Sequence, residues 1–87
     1  MAVLMSLKEA VNYATSKLTM PQVARVLGVS SNQIYKYTTG YTTTCRDEVI
    51  DKIYDNFKIS GEPILVNVFN DEEEYLQLRK VRENLKD

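Results

Sequence analysis

The sequence contains no histidine and a single cysteine, Cys45. Zinc-finger ligand sets and Cys/His nucleophile pairs need those residues, so neither is open to this chain. One cysteine cannot close an intrachain disulfide, which suits a reducing, intracellular setting. Long apolar runs are missing as well. The opening "MAVLM" is short, with no basic region ahead of it and no small-residue cleavage site behind it, and no other stretch reaches membrane-spanning length. A cytoplasmic location is expected. There is no glycine-rich phosphate loop and no metal-ligand cluster, so no cofactor and no metal are expected, and nothing supports an enzyme. Cys45 has only a helix start and Arg46 nearby to activate a thiolate, and is expected as a small residue in the first turn of a helix.

What is present is unevenly charged. The net charge of −1 combines residues 1–46, where Lys8, Lys17, Arg25, Lys36 and Arg46 face Glu9 alone, with residues 47–87, where eleven acids face six basic residues. The first half therefore carries +4 and the second −5, the pattern of a basic working half joined to an acidic half with another task. Eighty-seven residues make one small domain, short enough that an oligomer would help its core.

Helix starts are legible as capping boxes, in which Ser, Thr or Asn is followed three residues later by an acid or its amide. Ser6/Glu9, Thr19/Gln22, Ser30/Gln33, Thr44/Asp47 and Asn70/Glu73 fit. They predict five helices, over about residues 7–17, 20–27, 31–39, 45–58 and 71–86. Pro21 falls in a first turn, where its missing N–H costs nothing, and Gly28 and Gly40 end the second and third helices. "SGEP" breaks the chain after the fourth helix. "ILVNVF" then predicts one short strand near residues 63–69, with "AVLM" or the same strand of a second subunit as its partner. The expected fold is mainly α (α+β): one domain over 1–87, a helix-turn-helix core at 7–58, and a strand and helix at 63–87 for dimerisation. The last helix carries the apolar stripe Tyr75, Leu78, Val81 and Leu85.

The centre of the chain, "LTMPQVARVLGVSSNQIYKYTTG", places two short apolar patterns on either side of a glycine. Two helices joined by a three- or four-residue turn containing Gly describe a helix-turn-helix unit. Ala24 is small where the helices approach, and Val23, Leu27, Val29, Ile34 and Tyr37 stand where apolar groups must face inward. The segment "QVARVLGVSSNQIYKY" resembles the helix-turn-helix of the Cro and lambda-repressor-like family of phage and bacterial regulators, and the resemblance extends over residues 7–39. Met20 departs from the Gln that often opens the second helix of such units, and Tyr37 replaces a smaller aliphatic residue.

That resemblance implies a sequence-specific regulator whose partner is double-stranded DNA, read in the major groove by helix 31–39. With Ile34 and Tyr37 inward, the outward arc is Asn32, Tyr35, Lys36 and Thr39, with Ser31 exposed at the N-terminal end. These five are the expected base contacts. Asn32 suits adenine, Lys36 suits guanine or a phosphate, and Tyr35 suits a thymine methyl. Lys17, Thr19, Gln22, Thr42, Thr43 and Arg46 are the expected phosphate contacts. The acidic half is expected to form a homodimer through residues 63–86, because a lone strand leaves backbone groups unpaired. The alternative is a protein-interaction module, an antirepressor or modulator, on the same scaffold.

Overall fold

In the computed structural model, which describes residues 1–85, three of the five expected caps start helices where expected. Helix α1 (Leu7–Lys17) opens with the Glu9 N–H donating to Ser6 Oγ at 3.1 Å and the Ser6 N–H donating to the Glu9 carboxylate at 3.4 Å. Helix α2 (Met20–Leu27) has the same reciprocal pair between Thr19 and Gln22, with Pro21 in its first turn. Helix α3 (Ser31–Thr39) is capped by Ser30, which accepts from the Gln33 N–H at 3.1 Å.

The other two starts are corrected. Helix α4 (Asp47–Asn56) has Arg46 at its cap position and no side-chain cap bond, so the Thr44/Asp47 box does not form and Cys45 lies just ahead of the helix. Asp47 and Glu48 occupy its first turn, where the helix dipole favours negative charge. Helix α5 (Glu72–Asn84) is capped by Asp71, which accepts from the Glu74 N–H at 2.7 Å, one residue later than the Asn70/Glu73 reading. Lys86, its expected last residue, lies outside the described residues.

The strand region also differs from expectation. β1 (Val3–Met5), β2 (Lys58–Ile59) and β3 (Glu62–Val66) form a three-stranded sheet in the order β1-β3-β2. β1 runs parallel to β3, with Val3 opposite Ile64 and Met5 opposite Val66. β2 runs antiparallel to β3, with Ile59 opposite Glu62. Between them Ser60 and Gly61 both have positive φ, 52° and 81°, the two-residue turn whose twist suits a hairpin. "SGEP" therefore reverses the chain rather than merely interrupting it. The fourth helix ends at Asn56 so that residues 58–59 can pair. The predicted strand ends at Val66, because residues 67–69 turn away toward α5. It has partners on both sides within the chain, which removes the unpaired-strand argument for a dimer.

β3 is the centre of the core. Ile64, Leu65 and Val66 are all buried, as a strand covered on both faces requires, and α1 and α4 pack against it. The same apolar cluster takes Leu7, Ala10, Val11 and Ala14 of α1, Val49, Ile50 and Ile53 of α4, and the inner residues of α2 and α3. α5 contributes only Tyr75, fully buried against Tyr54 and Phe69. Its expected stripe is split, with Leu78, Val81 and Leu85 exposed by 44%, 53% and 78%.

The reason lies in α4, whose Asp47, Asp51 and Asp55 form a row at helical spacing. Arg79 meets Asp55 through two bonds of 2.7 and 2.8 Å, Arg82 reaches Asp51 at 3.1 Å and Asp47 at 3.4 Å, and the Tyr75 hydroxyl donates to Asp51. These polar contacts choose which side of α5 faces inward. Among the described residues no helix is long and apolar enough to cross a membrane.

Candidate nucleic-acid interface

The turn between α2 and α3 is built on Gly28, which caps α2 in the left-handed conformation, φ 70° and ψ 33°. An L side chain resists that backbone, and glycine does not. The Gly28 N–H donates to the Arg25 carbonyl and the Val29 N–H to the Ala24 carbonyl, closing the end of α2 so that Ser30 can start the next helix. Ala24, 5% exposed, lies in the core with Val23, Leu27, Ile34 and Tyr37, so the two helices meet through small and apolar groups.

Fixing Ile34 and Tyr37 inward turns the opposite arc of α3 to solvent. Ser31, Asn32, Tyr35 and Thr39 are exposed, and Tyr35 presents more than half of its surface. The Thr39 hydroxyl donates to the Tyr35 carbonyl at 3.0 Å, so toward an outside group it offers mainly its lone pairs. Lys36 is half-buried rather than extended into solvent, because its ammonium rests 6.0 Å from the centre of the Tyr41 ring. Tyr41 is 81% exposed and follows Gly40, the left-handed cap of α3. The Thr42 N–H donates back to the Lys36 carbonyl at 3.1 Å, which holds this loop against the helix end. Tyr41 was absent from the expected contact set, and its only sequence signal was an aromatic residue directly after a helix stop.

The expected phosphate contacts fall into separate groups. Thr19 and Gln22 are exposed and joined by their capping box, leaving the Thr19 hydroxyl proton and the Gln22 amide N–H groups available. Lys17 stands just before them, with its ammonium 5.4 Å from the Tyr13 ring centre. Thr43 and Arg46 are exposed and Thr42 is half-buried. A cleft of about 500 Å³ lined by Ser30, Gln33, Tyr37, Thr44 and Arg46, among others, brings Arg46 to the N-terminal end of α3. Burial raises the Tyr37 phenol above its ordinary value, as does Cys45, while Gln33 and the nearby Arg46 charge act in the opposite direction. Gln33 is a second residue absent from the expected set. The C-terminal end of α3 is held from α1 by the Asn12 amide, which donates to the Thr38 carbonyl at 3.2 Å.

No Asp or Glu occurs between Glu9 and Asp47, so α2, α3 and the loop after them contain no carboxylate, while Lys17, Arg25, Lys36 and Arg46 lie in the same span. Arg25 is exposed and makes no ion pair among the described residues. In the acidic half, by contrast, Arg79 and Arg82 are occupied by α4. A larger cleft of about 790 Å³ between α4 and α5 is lined by these paired charges and belongs to the packing of α5. Cys45 is half-buried, and burial followed by the Asp47 charge pushes its thiol up to about 11, so it is protonated and a poor nucleophile at neutral pH. No family model matches the chain, and no curated protein or solved structure is significantly similar to it.

Proposed function

We propose that this chain is a sequence-specific transcriptional regulator of the phage repressor type, reading duplex DNA in the major groove with α3. One observation carries the reading. A glycine turn sets α3 on α2 with Ile34 and Tyr37 buried, and Ser31, Asn32 and Tyr35 face solvent in a span without carboxylates. An exposed helix of hydrogen-bonding side chains on a rigid support is what base-edge recognition requires, and freedom from acidic groups is what approach to phosphate requires. In this reading Asn32 and Lys36 contact bases, with Ser31, Tyr35 and Thr39 beside them. Lys17, Thr19, Gln22, Thr42, Thr43 and Arg46 hold the backbone on either side and set the register without reading sequence.

Selection of bound sequences from a random duplex pool tests this. The expected result is an enriched motif, with affinity falling as salt rises at a log–log slope of about −0.9 for each neutralised phosphate. A pool that shows no enrichment after repeated rounds, together with no salt-dependent retention on duplex DNA, would refute it.

A further inference from the structure

The C-terminal end of α3 carries two ammonium groups that its own capping does not use. Lys8 of α1 lies across Gly40, where a Cβ would stand 3.4 Å from its Cδ and 3.9 Å from its Nζ, so the bare backbone of Gly40 gives Lys8 its place. Asn12, one turn further along α1, donates to the carbonyls of both Lys8 and Thr38 and fixes the two helices at this point. The carbonyls that end α3 are taken by neutral donors: Tyr37 by the Gly40 N–H, Thr38 by the Asn12 amide and Lys36 by the Thr42 N–H. Neither Lys8 nor Lys36 makes an ion pair among the described residues. Glu9, the carboxylate next to Lys8 in sequence, is turned back on Ser6 at 3.0 Å.

The Lys36 ammonium rests near the Tyr41 ring, and that exposed phenol directly follows the glycine that Lys8 covers. We propose that the Lys8 ammonium and the Tyr41 hydroxyl together hold one backbone phosphate of duplex DNA beside the C-terminal end of α3, which makes α1 part of the interface. A cation without a carboxylate partner and a hydroxyl attached to adjoining backbone are the donor types that phosphate oxygens take. An ammonium is a point charge without the planar fork that matches a base edge, so Lys8 positions the protein and does not read sequence. The contact rests on the DNA reading of α3 and adds to it a residue from outside the helix-turn-helix.

The test is titration of a duplex selected by the wild-type protein, at several salt concentrations. Lys8→Ala should bind more weakly, with a log–log salt slope smaller by about 0.9, the share of one phosphate, and an unchanged sequence preference. Tyr41→Phe should lose roughly 2- to 10-fold in affinity at an unchanged slope, because a hydrogen bond is lost and no charge. Lys52→Ala, which removes the same charge from an exposed position on α4, should keep the wild-type slope. Lys8 and Tyr41 are exposed, so unchanged melting shows that their variants still fold. Replacing single phosphates of the duplex by neutral methylphosphonates locates the contact: at one position the change should weaken the wild type and leave Lys8→Ala unaffected. A wild-type slope in Lys8→Ala, an equal loss of slope in Lys52→Ala, Tyr41→Phe binding as wild type, or no phosphate whose effect depends on Lys8 overturns the proposal and leaves the DNA reading standing. A wild type without salt-dependent binding refutes the DNA reading itself, and this contact with it.

Discussion

Replacing Gly28 isolates the cost of one backbone conformation. A Cβ added there meets no heavy atom within 4 Å, so no clash enters and the whole penalty comes from φ at +70°. An L residue in that region costs roughly 1–2 kcal/mol, and a β-branched one lies toward or beyond the upper end. Part is offset, because losing glycine stiffens the unfolded chain by about 0.4–1 kcal/mol. The net expectation is a destabilisation of about 1 kcal/mol for Gly28→Ala and about 2 kcal/mol for Gly28→Val, with Gly28→Asn the mildest since Asn tolerates this conformation. For a domain of this size that corresponds to Tm reductions of about 4–8 °C for Ala and roughly twice that for Val. Circular dichroism melts of the three variants supply the measurement. An unchanged Tm for Gly28→Val, or Asn proving worse than Val, would refute the reasoning, since either means that the turn does not depend on the left-handed conformation.

Lys36→Ala and Asn32→Ala should each weaken binding to a selected duplex by about 1–3 kcal/mol with unchanged melting, whereas Arg46→Ala should weaken all sequences alike and reduce the salt slope by about 1. Equal titration curves for wild type and variants would remove these residues from the interface. Tyr75 is fully buried, so Tyr75→Ala should cost about 3–5 kcal/mol in denaturant unfolding, and Tyr75→Phe only about 1 kcal/mol because Asp51 keeps Arg82. Burial, then the hydrogen bond to Glu72, pushes the Tyr54 phenol up from 10.0 to about 12. A raised folded value means that its stabilising contribution is complete below pH 10 and lost as pH rises toward 12. The stability gap between wild type and Tyr54→Phe should therefore close across that window, and a gap constant from pH 9 to 12 would contradict the linkage. Arg79→Met should destabilise by about 1 kcal/mol through loss of its two-bond contact with Asp55, and by less at high salt, measured by urea unfolding at two ionic strengths.

Ser6, Thr19 and Ser30 could be read from sequence because a cap is a contact between residues three apart, complete within one turn. The outward arc of α3 follows from equally local facts, the helical period and the apolar character of Ile34 and Tyr37. Gly28 needed only the shape of the turn between two short helices. For the same reason "YTTTCRDE" was misread: the apolar period of Val49, Ile50 and Ile53 gives the phase of α4 but not its first residue. The helix starts where the Arg46 carbonyl accepts from the Val49 N–H.

Apart from the start of α5, one residue later than read, what was misread beyond that depends on a distant partner. Lys58 and Ile59 become strand because β3 offers them an edge and Ser60–Gly61 returns the chain, an alignment worth more to those two residues than another half-turn of helix. Of the two partners the sequence offered for the predicted strand, "AVLM" is the one it meets, but the choice between them was out of local reach because Val3 and Ile64 stand some sixty positions apart. Periodicity alone marked Tyr75, Leu78, Val81 and Leu85 as one stripe. The carboxylates of Asp47, Asp51 and Asp55, on another helix, turned Tyr75 inward and left the other three outside. The meeting of Arg46 and Gln33 in one cleft is of the same kind. A sequence specifies its own caps, turns and periods through neighbours that are always in reach, whereas the choice among compatible faces and edges is made by groups that meet only once the chain has folded.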